Sequence, residues 1–169
     1  MRPAAAAQKR AVPVMRIALY QPDIPQNTGS IMRLAACLGV PLDLIEPAGF
    51  LLGDRRLKRA GMDYLALLDL TRHRSWTAFL ERRPPGHRLI LLTTRAPLPY
   101  HRFVFEPDDV LLLGRESAGV PDDVHAAADA RLRVPMRPGA RSLNVALAAA
   151  MVLGEALRQT VHWPEGMAP

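Results

Sequence analysis

Val110-Leu111-Leu112-Leu113 is an unbroken apolar run closed by Gly114. A strand with one wet face alternates apolar and polar residues, so an apolar strand without alternation must be covered on both sides. That is the environment of a parallel sheet between helical layers. The rest of the chain follows the same grammar. Arg16–Tyr20, Leu42–Ile45 and residues 64–70, 88–93 and 132–134 read as further strands. Residues 28–38, 54–60, 75–83, 121–128 and 142–159 have helical patterns. Strands that alternate with helices predict an α/β domain with a mostly parallel sheet flanked by helices.

Local signals set the expected boundaries. Asn27 is placed to cap the first helix, whose Ile31, Leu34, Ala35 and Leu38 share one face, with Cys37 expected as a buried thiol. Pro84-Pro85-Gly86 stops the third helix. Ser142 is an expected cap for the last helix, with Leu143, Leu147, Ala150 and Leu157 along one stripe. At 169 residues, 49% hydrophobic and 22% charged, the chain has the material for one packed domain. That domain is expected over residues 15–169, after a loose tail at 1–14.

One cysteine cannot form an internal disulfide, and no Cys/His spacing suits zinc, so no metal is expected. No run is long enough to span a membrane, and the start lacks the apolar core of a secretory signal, which leaves the cytoplasm as the expected compartment. The net charge of +6 suits a polyanionic partner.

Three familiar chemistries can be tested directly. No G-x-G-x-x-G follows the first strand and no G-x-x-x-x-G-K-[ST] occurs, which counts against dinucleotide enzymes and P-loop NTPases. The stretch nearest to a nucleophile elbow is Arg115-Glu116-Ser117-Ala118-Gly119, with Arg where the first glycine belongs, so a serine hydrolase is a weak alternative. Three other segments lie at chain turns, where parallel sheets bind ligands. Asn27-Thr28-Gly29-Ser30-Ile31-Met32-Arg33 opens a helix and projects Arg33 opposite the apolar stripe, where it can meet a phosphate. Leu113-Gly114-Arg115-Glu116-Ser117-Ala118-Gly119-Val120-Pro121 brackets a carboxylate with two glycines directly after a buried strand, so backbone can wrap a flat ligand. Val134-Pro135-Met136-Arg137-Pro138-Gly139-Ala140-Arg141-Ser142-Leu143-Asn144 is a loop with unpaired backbone groups entering a helix, where Asn144 is a poor helix former.

In order and spacing, these segments resemble the three motifs of the SpoU-type branch of the SPOUT methyltransferases. The likeness runs from Arg16 to Gln159. Four further stretches narrow it to the small TrmL-like group that methylates the tRNA wobble ribose. These are Ile24-Pro25-Gln26-Asn27-Thr28-Gly29, Ile45-Glu46-Pro47-Ala48-Gly49-Phe50, Arg59-Ala60-Gly61-Met62-Asp63-Tyr64 and Thr71-Arg72-His73. The resemblance implies a C-terminal trefoil knot, a homodimer, S-adenosyl-L-methionine (SAM) as methyl donor and tRNA as acceptor. It implies a SAM pocket built from Leu92, Thr93, Gly114, Glu116, Val134, Pro135, Ser142 and Leu143. It assigns Arg33, Glu116, Asn144 and Asn27 to catalytic or substrate-organising positions.

Methyl transfer from a sulfonium to a ribose hydroxyl needs alignment, a route for the proton and no metal. A guanidinium stays protonated, so Arg33 is expected to grip the phosphate beside the target ribose rather than to act as a base. Arg55, Arg56, Lys58, Arg59, Arg72, His73 and Arg74 are candidates for tRNA backbone contact. Two further alternatives are a SPOUT enzyme acting on another RNA position and a silent RNA-binding SPOUT protein.

Overall fold

The computed structural model describes residues 14–160 with 163 and 164, and at residues 58 and 60–63 the backbone alone. The expected tail at 1–14 therefore lies outside the described residues, apart from Val14. Among the described residues seven strands form one sheet: β1 (Arg16–Tyr20), β2 (Leu42–Ile45), β3 (Leu70–His73), β4 (Leu89–Leu92), β5 (Leu98–Pro99), β6 (Val110–Leu113) and β7 (Ala130–Arg133). Their order is β3-β2-β1-β6-β4-β7-β5, and every pairing is parallel. The helices are α1 (Pro25–Leu38), α2 (Arg55–Gly61), α3 (Trp76–Arg82), α4 (Asp122–Ala127) and α5 (Val145–Thr160).

The sheet is covered on both faces, as the Val-Leu-Leu-Leu run requires. Ile17 and Leu19 of β1 point into a core with Ile31 and Met32 of α1 and Val152, Leu153 and Ala156 of α5. Ala18 and Tyr20 point the other way, toward Phe79 of α3 and Val124 of α4. Leu111 and Leu113 belong to the first core, Val110 and Leu112 to the second, so β6 is buried throughout. Each such side chain contributes roughly 1.5–3 kcal/mol of transfer free energy, which makes the central strands the rigid part of the molecule. Among the described residues no helix is long and apolar enough to cross a membrane.

Several local expectations need correction. Residues 64–70 do not form a strand: Met62–Leu67 is a 3-10 helix and β3 starts at Leu70. Leu65 and Leu68, three apart, pack on the core while Leu67 is 71% exposed, so a three-residue period wins over alternation. The Leu42 amide donates to the Asp69 carbonyl at 2.8 Å, which sets where the edge strand begins. Asn27 does not cap α1. The helix opens at Pro25, whose missing amide hydrogen is harmless in the first turn, and Ile24 is the cap residue. Cys37 is exposed, not buried.

Ser142 does not cap α5 either. Asn144 does, its Oδ1 accepting the amides of Ala146 at 2.9 Å and Leu147 at 3.3 Å. The buried face of α5 carries Ala149, Val152, Leu153, Ala156 and Leu157, whereas Leu143 (37%) and Leu147 (57%) are exposed.

Candidate active site

The C-terminal ends of β6, β4 and β7 lie side by side in the middle of the sheet and open into a cavity of about 450 Å³. This volume suits a nucleoside-sized ligand. Leu91, Leu92, Leu113 and Leu132 form its apolar floor, and the loops after β6 and β7 form its walls.

The loop after β6 turns back on itself. Arg115 and Gly119 exchange backbone hydrogen bonds at 2.9 and 2.8 Å, and Gly119 has φ +65°, a left-handed conformation that glycine adopts at least cost. A Cβ on Gly114 would lie 2.7 Å from the Gly119 carbonyl carbon, so no side chain fits there. The two glycines thus shape the loop itself, which holds Glu116 at the mouth of the cavity.

Glu116 begins a hydrogen-bond chain that runs through Asn27 to Asn144 and so joins all three sequence segments. Its Oε1 accepts from Asn27 Nδ2 at 3.2 Å, and its Oε2 accepts the Asp23 amide at 3.1 Å. Asp23 reciprocates, with Oδ1 accepting the Glu116 amide at 3.1 Å and Oδ2 accepting from the Ser117 hydroxyl. Asn27 Oδ1 in turn accepts from Asn144 Nδ2 at 2.9 Å, and Asn144 caps α5. Burial first, and then the side-chain hydrogen bond with Asp23, push the Glu116 carboxyl above the usual glutamate range, while the Asp23 amide pulls it down. That same side-chain bond to Glu116 holds Asp23 below the usual aspartate range, against its own desolvation. Of the two carboxyls, Glu116 therefore keeps its proton to higher pH than Asp23.

Asp23 is the site residue that sequence reasoning missed. Its signal was a carboxylate between Pro22 and Pro25 directly after a buried strand. The loop after β2 braces it: Gly49 donates to the Pro22 carbonyl at 2.8 Å, and a Cβ there would meet the Asp23 Cα at 2.9 Å.

Of the residues expected at the cofactor pocket, Leu92, Thr93, Gly114, Glu116, Val134, Ser142 and Leu143 line the cavity, joined by Asn27 and Asn144. Pro135 is not part of the lining, whereas its neighbour Met136 is. Arg33 is also outside the lining. It lies on the exposed face of α1, with Nη2 donating to the Tyr64 hydroxyl at 3.0 Å and the guanidinium 4.6 Å from that ring's centroid.

Among the basic residues, Arg55, Arg56, Arg59, Arg72 and Arg74 are exposed. Arg56 pairs with Asp54, and Arg72 with Glu46. His73 must be withdrawn from that group. It is 3% exposed, and its Nε2 lies 2.7 Å from Asp43 Oδ1, because residues 71 and 73 of β3 face the sheet interior beneath α3. The Lys58 side chain lies outside the described residues. The hydrolase alternative also falls: the Ser117 hydroxyl is bonded to a carboxylate, and among the described residues no histidine lines the cavity.

A tRNA (cytidine(34)-2′-O)-methyltransferase of Beijerinckia indica is 64% identical over 144 residues, covering 85% of this chain and 90% of the relative. A solved structure concerned with the 2-OH methylation of C/U34 on tRNA superposes with a TM-score of 0.83 at 45% identity, covering 86% of this chain and 95% of that one. The SpoU methyltransferase AviRb from Streptomyces viridochromogenes, solved with the cofactor AdoMet, is similar at a TM-score of 0.79 and 27% identity, over 89% of this chain and 62% of that one. The pattern of the SpoU rRNA Methylase family matches residues 14–154. A parallel sheet with a cavity at its strand ends, three loop segments tied through Glu116, and this match over most of the chain place it in the SpoU rRNA methylase family.

Proposed function

We propose that this chain transfers a methyl group from SAM to the ribose 2′-hydroxyl of the wobble nucleotide, a cytidine or modified uridine at position 34 of tRNA. The observation that carries this reading is the Glu116–Asn27–Asn144 chain at the rim of an apolar cavity. It sits in a protein with close relatives named for that reaction.

The cavity suits the donor. Leu92, Leu113, Leu132 and Val134 offer apolar surface to a flat base, and the loop entering α5 offers backbone groups for hydrogen bonding. When bound, SAM supplies an electrophilic methyl carbon on a sulfonium leaving group. The role of this chain is then alignment, which can be worth roughly 7–11 kcal/mol. Glu116 and Asn27 hold the loop ends in register, and Thr93, Ser142 and Leu143 enclose the donor together with Gly114. Pro135 would act by stiffening the loop behind Met136. Arg33 would grip the phosphate beside the target ribose, since its charge and fork geometry fit a phosphate and its proton is not available for exchange.

Three further features belong to this reading. A homodimer is supported by the exposed Leu147 and Met151, one turn apart on the same face of α5. A trefoil knot is supported by β7, which runs between β4 and β5 although the latter two are consecutive in the chain. Work on tRNA would place the protein in the cytoplasm. Mass-spectrometric mapping of tRNA treated with the protein and SAM should find one added ribose methyl, at nucleotide 34. A methyl elsewhere would assign another RNA site, and no methyl with intact SAM binding would leave an RNA-binding protein.

A further inference from the structure

A second cavity, of about 210 Å³, lies at the other end of the sheet, between the start of β1 and the C-terminal end of α3. Its polar lining is Arg16, Asp43, Thr71, His73, Arg82 and Arg83. Methyl transfer at the far end of the strands uses none of these groups.

Asp43 is 4% exposed and fully engaged. Arg16 Nε donates to Oδ2 at 2.8 Å, Arg16 Nη2 donates to Oδ1 at 3.1 Å, and His73 Nε2 lies 2.7 Å from Oδ1. A carboxylate only accepts, so Nε2 of His73 carries a hydrogen. The other ring nitrogen, Nδ1, is buried without a hydrogen-bond partner. A buried polar atom left in this state marks a place for a ligand or water. The charges point to the kind of ligand. Asp43 cancels Arg16 and Asp129 Oδ2 accepts from Arg83 at 3.4 Å, so Arg82 supplies the surplus positive charge at the mouth.

We propose that this cavity is a phosphate-group site, with Arg82 and Arg83 at its mouth and His73 Nδ1 at its base. With Nε2–H committed to Asp43, Nδ1 is the ring atom left for the ligand: it meets an unprotonated phosphate oxygen as N–H and a phosphate hydroxyl as an acceptor. Around the imidazole stand the Asp43 carboxylate from β2, Arg16 behind it on β1, and the Phe79 ring edge-on from α3 at 5.3 Å. The neighbouring Glu46 and Arg72 are occupied with each other. The phosphate has two sources by chemistry, a free phosphate compound or an RNA backbone. The site itself does not depend on the methyltransferase reading.

The test titrates the full chain with inorganic phosphate at constant ionic strength, following the His73 ring nitrogens by NMR. A saturable change at Nδ1 is expected. The surface variant Arg82→Gln/Arg83→Gln should weaken it by about tenfold or more, the scale of a charged hydrogen bond. No saturable change at His73, the same response to sodium chloride, or unchanged affinity in the variant would overturn the proposal. An anticodon stem-loop RNA separates the sources. If the RNA competes with phosphate at His73 and binds the variant less well, the backbone is the source. If phosphate binds and the RNA neither competes nor distinguishes the variant, the source is a free phosphate compound.

Discussion

Asn144 donates through Nδ2 to Asn27 Oδ1 at 2.9 Å while its own Oδ1 receives the first amides of α5. One side chain therefore starts the last helix and ties it to the first. The two halves of the side chain can be separated by substitution.

Asn144→Asp keeps the acceptor that caps α5 and loses the donor to Asn27. Its Tm should stay within ~2–4 °C of the parent, the span of about 1 kcal/mol in a domain of this size. Its kcat/KM should fall ~10-fold or more, the scale of one lost hydrogen bond. Asn144→Ala loses both functions and should cost a further ~1 kcal/mol of stability for the missing cap. Thermal unfolding alongside steady-state methylation checks the pair.

The Glu116–Asp23 contact makes the site sensitive to pH. Glu116 is raised, so its stabilisation is present below the ordinary glutamate range and is lost as pH rises through its raised value. Asp23 is lowered, so its contribution is present above the ordinary aspartate range and is lost as pH falls through its lowered value. On the alkaline side the second ionisation sets two carboxylates against each other, and the loop around Glu116 should loosen. SAM affinity measured by calorimetry should therefore decline as pH rises past the Glu116 transition. Glu116→Gln cannot ionise and should flatten that decline; an unaltered profile would assign it to another group.

Gly114→Ala places a methyl group 2.7 Å from the Gly119 carbonyl carbon, with only backbone to yield. An overpacking cost of ~1–3 kcal/mol is expected, with weakened SAM binding. Gly154→Ala is the contrast. Its added Cβ meets nothing within 4 Å inside α5, so Tm should rise in proportion to the ~0.5–1 kcal/mol that separates alanine from glycine in a helix.

Arg33→Lys keeps the positive charge and loses both the planar fork and the stacking on Tyr64. A fall in kcat of ~10-fold or more is expected with SAM affinity unchanged, because bidentate phosphate contact is the function removed. Near-native turnover at saturating tRNA would show that one charge suffices.

Arg55, Arg59 and Arg74 are exposed cations beside the segments that point to tRNA. Replacing all three with glutamine should weaken tRNA binding and reduce the slope of log K against log salt by about 2, at ~0.7–0.9 for each phosphate no longer neutralised. SAM affinity should not change. A constant salt slope would move the RNA path to another face.

Much of the molecule was legible in one dimension because its signals are local. β1, β2 and β6 fall where the apolar runs lie, since a strand buried on both faces admits little else. Proline breaks and the Ser75 cap bound α3, with the Ser75 side chain accepting the Ala78 amide. Nine residues that line the cavity, Leu92 and Thr93 among them, were named through the family resemblance that three loop segments in order carry. Where only partner groups could decide, the sequence was silent or misleading. Asn27 reads as a helix cap until Asn144 and Glu116 claim its amide from 117 and 89 residues away.

The sequence by itself determined the layers, the central strands and the chemistry at the loop ends, because hydrophobic period and glycine spacing act over a few residues. The tertiary structure decided which polar groups meet. It buried His73 against Asp43, left Arg33 outside the cavity against Tyr64, and brought Asp23 onto Glu116 across 93 residues of chain. The Asp23–Glu116 pairing follows from the parallel order of the strands, which sets loops distant in sequence side by side at one end of the sheet.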